Sequence, residues 1–285
     1  MTSSRVLSVG TDASRESVHA ADWAAREALR RRLPLRLVQA AGTERPAPRL
    51  PDVDLPDRGV LDVVALRLSY AHPALEIIAR RRAAQPVAAL LEAAEESESL
   101  VLGSRGFTGY SGFLVGSVAL AVTARARNPV VLVRAGGLPE DERDGPGFRP
   151  VVVGLDVTSP ADELLSYAFE AAALRGAPLH ALHAWTLPPL RGNRPDGAQP
   201  GDAARQEERL RGTLAEAVRA WHTKYPEVRV EERLLYGQPG HHLLKAATGA
   251  SLTVVGRRTD AAHLGCTAHS VVHHVTSPVA IVPHS

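Results

Sequence analysis

Five glycines lie close together in residues 100–117, between an apolar run and a segment with helical periodicity. The stretch reads Leu-Val-Leu-Gly-Ser-Arg-Gly-Phe-Thr-Gly-Tyr-Ser-Gly-Phe-Leu-Val-Gly-Ser, with glycines at 103, 106, 109, 112 and 116. Glycines let backbone N–H groups approach an anion closely, and a helix start offers unpaired N–H groups and the positive end of its dipole. A strand, a glycine-rich loop and a helix N-terminus in this order predict a phosphate site.

Ser117 stands at the expected start of the helix, where its hydroxyl can either cap the helix or bond a phosphate oxygen. The loop is not a Walker A loop, because that loop needs a lysine followed by Ser or Thr. The only lysines of the chain are Lys224 and Lys245, which precede Tyr and Ala. No Gly-x-Gly-x-x-Gly follows a strand either, which argues against a Rossmann-type dinucleotide site.

The chain contains an internal repeat. The segment Val-Gly-Thr-Asp at 9–12 matches Val-Gly-Leu-Asp at 153–156, Gly103 matches Gly256, and Gly116 matches Gly265. Matches in the same order with only small changes of offset indicate a duplicated domain. The sequence therefore predicts a first domain over residues 1–134, a linker over 135–148 and a second domain over 149–285.

Each half alternates strands and helices in the order β-α-β-α-β-α-β-α-β. The strand segments are continuous apolar runs, as expected when helices cover both faces of a parallel sheet. We therefore expect two tandem five-stranded parallel sheets, each in an α/β domain. The predicted strands are 5–11, 35–41, 74–80, 99–103, 130–134, 150–156, 179–185, 228–236, 252–256 and 279–283. The predicted helices are 14–32, 60–71, 86–97, 117–127, 160–175, 203–224, 239–248 and 266–275.

The spacing Gly103-x2-Gly106-x9-Gly116-Ser117 resembles the nucleotide-binding signature of the ATP-binding branch of the universal stress protein family. The resemblance implies a five-stranded parallel α/β domain that binds ATP, with or without Mg²⁺, and regulates a stress or dormancy response. It also implies pairing through the fifth-strand edge, either between the two halves or in a homodimer. The nucleotide-binding residues that it implies are Gly10, Asp12, Val38, Gly103, Ser104, Arg105, Gly106, Gly116, Ser117 and Val118.

Asp12 follows the first strand, at the edge of the sheet where parallel α/β proteins bind ligands. In the family that the chain resembles, this aspartate contacts the nucleoside part of ATP. Its carboxylate can accept hydrogen bonds from ribose hydroxyls or the adenine amine. The alternative is that Asp12 only caps the helix that begins near Ser14.

The second half departs from the signature in its corresponding loop. Thr259 replaces the second glycine, the nine-residue spacer shrinks to five, and Cys266 replaces the serine. We therefore expect a degenerate site there, formed by Gly154, Asp156, Gly256, Gly265 and Cys266. A weak nucleoside site remains open because Asp156 is retained. Cys266 at a helix start is either a redox-sensitive thiol or a small packed residue.

Composition places the chain among globular proteins. It has 285 residues, a formal net charge of +2, 22% charged and 45% hydrophobic residues. Arginine runs at 30–32 and 80–82 lack interleaved aromatics and a strong net charge, so we expect no nucleic-acid binding. The single cysteine, the lack of a signal peptide and apolar windows too short for a bilayer indicate a cytoplasmic protein without membrane contact.

Two other functional classes remain open. The first is an enzyme, namely a slow ATPase or a nucleotidyl or phosphoryl transferase, although no catalytic residue is evident. The second is a ligand-free dimerisation or interaction scaffold, and the regulatory protein partner is unknown in any case. His269 and His273 share a helix face, but no acidic or cysteine partner has matching spacing, so we expect no metal site.

Overall fold

The computed structural model describes residues 5–12, 14–40, 59–104, 115–136, 142–144, 147–159, 162–187, 202–261 and 263–285. The first half contains β1 (Leu7–Gly10), α1 (Arg15–Arg31), β2 (Leu35–Ala40), α2 (Val60–Ala71), β3 (Ile77–Arg82), α3 (Pro86–Glu95), β4 (Ser99–Ser104), α4 (Ser117–Arg125) and β5 (Val130–Arg134). A short hairpin follows, formed by β6 (Arg143–Asp144) and β7 (Gly147–Phe148). The second half contains β8 (Val151–Gly154), α5 (Asp162–Arg175), β9 (Leu179–Trp185), α6 (Asp202–Lys224), β10 (Val230–Tyr236), α7 (Pro239–Ala247), β11 (Leu252–Arg258), α8 (Cys266–His274) and β12 (Val279–His284).

The predicted α/β fold is confirmed, and the two predicted sheets join into one. Ten strands follow the order β10-β9-β8-β11-β12-β5-β4-β1-β2-β3. Neighbours within each half are parallel, whereas β12 and β5 are antiparallel, with Ala280 opposite Val131. The fifth strands of the two halves therefore pair within one chain, as the family resemblance suggested.

The structure differs most from the predicted elements in two places. The third strand was predicted at 74–80, but β3 runs from Ile77 to Arg82, because a turn closed by Leu75 N–H on the His72 carbonyl precedes it. Its last residues, Arg80 to Arg82, look unlike a strand in sequence, yet they suit the solvated edge of a sheet. The β6–β7 hairpin lies in the predicted linker and was not predicted.

Helices cover both faces of the sheet, and each face has its own core that continues across the two halves. One core joins α1 and α2 to α5 and α6, with Trp23 and Phe169 among its fully buried side chains. The other joins α3 and α4 to α7 and α8, around residues such as Leu90 and Leu243. Small residues on the buried side of α1, such as Ala24 and Ala28, let that helix approach the strands closely.

Glu27 on α1 binds arginines of both halves. Its carboxylate accepts hydrogen bonds from Arg175 Nη2 of α5 at 2.7 Å, from Arg31 Nε at 2.8 Å and from Arg30 Nη1 at 2.9 Å. The carboxylate is fully buried, which raises its pKa, but the positive charges of the three arginines outweigh burial and hold the pKa far below its ordinary value of 4.5. Arg31 and Arg175 occupy corresponding positions in the repeat, so one carboxylate joins two corresponding arginines.

We expect Glu27→Gln to destabilise the protein by about 3–5 kcal/mol, because the substitution leaves buried guanidinium groups without their counter-ion. The measurement is the free energy of unfolding in urea. The matched control is Glu207→Gln, which removes an exposed ion pair with Arg211 on α6 and should change stability by less than about 1 kcal/mol. Equal effects of the two substitutions would show that the buried cluster does not stabilise the fold.

The same substitution predicts a pH dependence. Because the pKa of Glu27 is lowered in the folded protein, its stabilisation is fully present above the unfolded pKa, near 4.5, and is lost as the pH falls below that value. The stability difference between the wild type and Glu27→Gln should therefore shrink between about pH 5 and pH 3. A difference that stays constant over this range would contradict the lowered pKa.

Candidate functional site

A cavity of about 450 Å³ lies at the carboxyl ends of the central strands of the first half. Open parallel sheets bind ligands at this edge, because the loops that follow the strands diverge there. We call it the first-half cavity. Of the predicted site residues, those that line it are Gly10, Asp12, Val38, Gly103, Gly116, Ser117 and Val118. The lining residues that the sequence interpretation missed are Thr11, Ser14, Glu16, Ser17, Ala40, Pro86, Leu90, Leu102 and Ala119.

Asp12 forms part of the wall of the first-half cavity and does not cap α1. Its Oδ1 accepts hydrogen bonds from the Ser14 backbone N–H at 3.0 Å and the Ser14 hydroxyl at 2.6 Å. Ser14 itself is the cap, because its Oγ accepts a hydrogen bond from the Ser17 N–H at 3.1 Å. These contacts hold the Asp12 carboxylate in place at the end of β1.

The N-terminus of α4 forms another wall of the first-half cavity. Gly116 is the N-cap residue, with extended backbone angles of φ −61° and ψ 149°, and Ser117 is the first helical residue. Of the two roles left open for the Ser117 hydroxyl, the structure therefore does not show the helix cap. Since a glycine cap has no side chain, it leaves the first-turn N–H groups of α4 without a side-chain acceptor from the N-cap. These groups carry partial positive charge, which favours an anion at this wall.

Apolar side chains form the remaining wall. Val38 at β2, Leu102 at β4 and Leu90 on α3 line the first-half cavity and belong to the same hydrophobic core. An apolar surface beside a carboxylate and a helix N-terminus suits a ligand with a flat base, a polar middle and an anionic end. The sequence signal for Leu90 was its place on the helix after the third strand, which packs on this face.

Three predicted nucleotide-binding residues are not placed at the first-half cavity. Arg105 and Gly106 lie outside the described residues. Ser104 is described, but it is buried and is not among the lining residues. Its hydroxyl accepts a hydrogen bond from Arg134 Nη1 at 3.1 Å, so its side chain contributes to the junction between the halves.

Two buried arginines connect each half to the end of a helix in the other half. Arg134 at the end of β5 donates through Nε to the Val275 carbonyl at 3.1 Å and through Nη2 to the Val272 carbonyl, at the C-terminus of α8. Burial lowers the pKa of Arg134 to about 10. Arg257 on β11 donates to the carbonyl of Ala126, the C-cap of α4. Positive charge at a helix C-terminus is favourable, so these contacts hold α4 and α8 against the joined sheet.

The corresponding cavity of the second half is smaller, at about 250 Å³. Of the residues proposed for a degenerate site, Gly154, Asp156 and Gly256 line it, whereas Gly265 and Cys266 are not among its described lining residues. Asp156 repeats the geometry of the first half, since its Oδ1 accepts hydrogen bonds from the Thr158 N–H at 3.0 Å and the Thr158 hydroxyl at 2.6 Å. The position of the carboxylate at the end of the first strand is thus retained in the second half.

Two histidines line this smaller cavity, which we call the second-half cavity. His183 donates or accepts a hydrogen bond between Nδ1 and the Leu155 carbonyl at 2.9 Å. His284 lies against Gly256, with Nε2 only 2.7 Å from the position that a Cβ would take there. The strand β11 also continues to Arg258, beyond the glycine, so the chain leaves the sheet later than it does after β4.

Cys266 is exposed and is the first residue of α8. The imidazole rings of His269 and His273 lie 4.5 Å apart between centroids on the same helix. Within the part of the chain that the structure describes, no three side chains of the metal-binding types lie together. No described helix is both long enough and apolar enough to cross a membrane.

The fold and the first-half cavity define a tandem α/β protein with a cavity at the carboxyl ends of its parallel strands. A sequence model of the universal stress protein family matches residues 4–134 and, a second time, residues 147–283. The chain belongs to the universal stress protein family.

Relatives along the full length agree with this assignment. A universal stress protein of Mycolicibacterium smegmatis is 31% identical over 294 residues, which cover 96% of this chain and 95% of that protein. One from Mycobacterium tuberculosis is 31% identical over 302 residues, with 97% and 96% covered. The crystal structure of a universal stress protein from Archaeoglobus fulgidus shares the fold, with a TM-score of 0.64, 19% identity and 99% of both chains covered.

Gly103 and Gly116 should respond differently to a side chain. A Cβ on Gly103 would lie 2.5 Å from the Glu16 carbonyl oxygen of α1, whereas no described atom lies within 4 Å of a Cβ on Gly116. We expect Gly103→Ala to destabilise the protein by about 1–3 kcal/mol, as overpacking does. Gly116→Ser should change stability by less than about 0.5 kcal/mol, because serine is also a favourable N-cap. Thermal or urea unfolding of both variants checks the contrast, and a tolerated Gly103→Ala would contradict it.

Proposed function

We propose that the protein binds one molecule of ATP in the first-half cavity and acts as a nucleotide-linked regulator of a stress or dormancy response in the cytoplasm. The observation that carries the proposal is that Asp12 and the N-terminus of α4, whose glycine N-cap has no side chain, line one cavity. The first domain, residues 1–134, would hold the nucleotide. A linker at 135–148 would connect it to the second domain, residues 149–285. The second domain would form the other side of the junction between the halves.

Each part of ATP matches one wall of the first-half cavity. The adenine base would contact Val38 and its apolar neighbours, and Asp12 would accept hydrogen bonds from ribose hydroxyls or the adenine amine. The phosphates would lie at the first turn of α4, where Ser117 offers a hydroxyl and backbone N–H groups carry partial positive charge. Arg105 and Gly106 would extend the phosphate contacts from the glycine-rich loop, with or without Mg²⁺.

We expect the second-half cavity not to bind ATP tightly. It has about 250 Å³ instead of 450 Å³, and His284 occupies space beside Gly256. The segment from Gly256 to Gly265 is four residues shorter than the matching segment from Gly103 to Gly116, so it cannot follow the same path around a triphosphate. Calorimetric titration should therefore give about one ATP per chain, and two equivalent tight sites would contradict the proposed asymmetry.

A homodimer of this protein would use a surface other than the fifth strands. The edges of β5 and β12 are already paired with each other inside the chain. The strands at the two ends of the ten-stranded sheet are β3 and β10. We expect any sheet-edge homodimer to form through these outer strands, and the solution mass would report it.

The phosphate contact of Ser117 is testable by comparing two ligands. Because Gly116 is the cap, Ser117→Ala should leave stability nearly unchanged, yet it should weaken ATP binding by about 10- to 150-fold, as for a hydrogen bond to a charged group. Adenosine binding should change little, because adenosine has no phosphate. Equal losses for ATP and adenosine would contradict the phosphate contact.

Two further variants serve as controls for this measurement. Gly116→Glu places a negative side chain in open space at the N-terminus of α4, the wall where the phosphates would lie and which we call the phosphate wall. It should therefore abolish ATP binding without unfolding the protein. Cys266→Ser restores the serine of the second half without the missing loop residues, and it should create no new site. Unchanged ATP affinity in Gly116→Glu would place the site elsewhere, and ATP turnover by the wild type would favour the enzymatic alternative.

A further inference from the structure

The largest of the three cavities, about 630 Å³, lies at the junction of the two halves. Its walls come from α1, the end of β5 and the β6–β7 region, and from the loops that precede β11 and β12 in the second half. It shares no described lining residue with the first-half cavity or with the second-half cavity. We call it the junction cavity.

Two side chains of α1 in the wall of the junction cavity have buried donors without a partner. Trp23 is 2% exposed, and its indole Nε1 makes no hydrogen bond within the described residues. The Nε of Arg26 is also buried and has no partner there. Buried polar atoms are nearly always satisfied, and Oε2 of Glu142 in the same wall also lacks a hydrogen bond within the described residues. These atoms together point to a ligand that supplies acceptors and a hydroxyl donor, as a hydrogen phosphate or a hydroxy acid does.

The charges around the junction cavity favour an anion. Its two carboxylates are already bound by arginines, Asp22 by Arg67 and Glu142 by Arg26 and Arg30. Arg67 and Arg30 lie outside the described lining. Part of the positive charge that pairs with these carboxylates therefore comes from outside the cavity wall. The lining carries Arg26, Arg134 and Arg149 against these two carboxylates, so its side chains retain a net positive charge.

Arg149 supplies positive charge that no described carboxylate neutralises. Its Nε donates to the Arg143 carbonyl at 2.9 Å, and its terminal nitrogens form no ion pair or hydrogen bond within the described part of the chain. Arg149 is partly buried in the wall of the junction cavity. The two terminal nitrogens of a planar guanidinium can donate parallel hydrogen bonds to two oxygens of a phosphate or carboxylate group.

We propose that the junction cavity binds a small oxyanion, a phosphate or carboxylate group, through Trp23 Nε1, Arg26 and Arg149. The cavity volume falls in the usual range for sites that bind small metabolites. Because residues of both halves line the cavity, the oxyanion contacts both and stabilises the folded chain by mass action. The proposal is independent of ATP binding in the first-half cavity.

The test measures the affinity of the full chain for inorganic phosphate and, separately, for citrate, by calorimetry and by the rise in Tm. Two probes separate a phosphate ligand from a carboxylate ligand. We expect saturable binding of at least one anion by the wild type. Arg149→Gln should weaken that binding by about tenfold or more, and Trp23→Phe, which keeps an aromatic ring without the N–H, should also weaken it. Arg211→Gln removes an exposed arginine of α6 with the same charge change and should leave binding unchanged.

The Gly116→Glu variant separates the junction cavity from the phosphate wall of the first-half cavity. Anion binding that persists in Gly116→Glu and is lost in Arg149→Gln supports the junction cavity, whatever the result with ATP. Anion binding lost in Gly116→Glu would assign the anion to the first-half cavity and overturn the proposal. It would also be overturned if neither anion bound the wild type, or if Arg149→Gln and Arg211→Gln behaved alike.

Discussion

The antiparallel pairing of β5 with β12 is the constraint on which the rest of the structure depends. All five residues of β5 are buried, as are the residues of β12 that face it, so neither strand suits an exposed edge. Their pairing removes both edges at once and turns two five-stranded sheets into one of ten strands. It also fixes the distance between the helices of the two halves, which allows Arg134 and Arg175 to bind across the junction.

A chain built from two corresponding halves can place a single group near the axis that relates them. Glu27 is such a group, because the corresponding arginines Arg31 and Arg175 share its one carboxylate. The corresponding position in the second half is Ala171, a small buried residue. A second carboxylate there would add a further buried charge, with its desolvation cost, to a site whose arginines already have a counter-ion. The difference between Glu27 and Ala171 therefore avoids this desolvation cost. The two halves also differ in the cavities at their strand ends.

Much of the fold was predictable from local pattern, and most of the misses involve distant contacts. Apolar runs, helical periodicity and the repeat predicted the order of strands and helices in both halves, and the strand ends predicted the positions of Asp12 and Gly103 at one cavity. The pattern could not show that Ser104 accepts a hydrogen bond from Arg134, because that contact depends on the register in which β4 pairs with β5. Nor could it separate Gly116 from Ser117 as the cap, since the choice depends on the backbone angles of one residue.

The short helix α4 explains why a second half with a degenerate loop matters to the first-half cavity. Its N-terminus forms one wall of the first-half cavity, and its C-cap carbonyl, at Ala126, accepts a hydrogen bond from Arg257 of the second half. A cation at the C-terminus and an anion at the N-terminus both stabilise the same helix dipole. The nine residues of α4 form a single rigid segment between the two contacts. The second half therefore supports the first-half cavity through the far end of α4, a role that requires Arg257 and the paired sheet but no intact glycine-rich loop of its own.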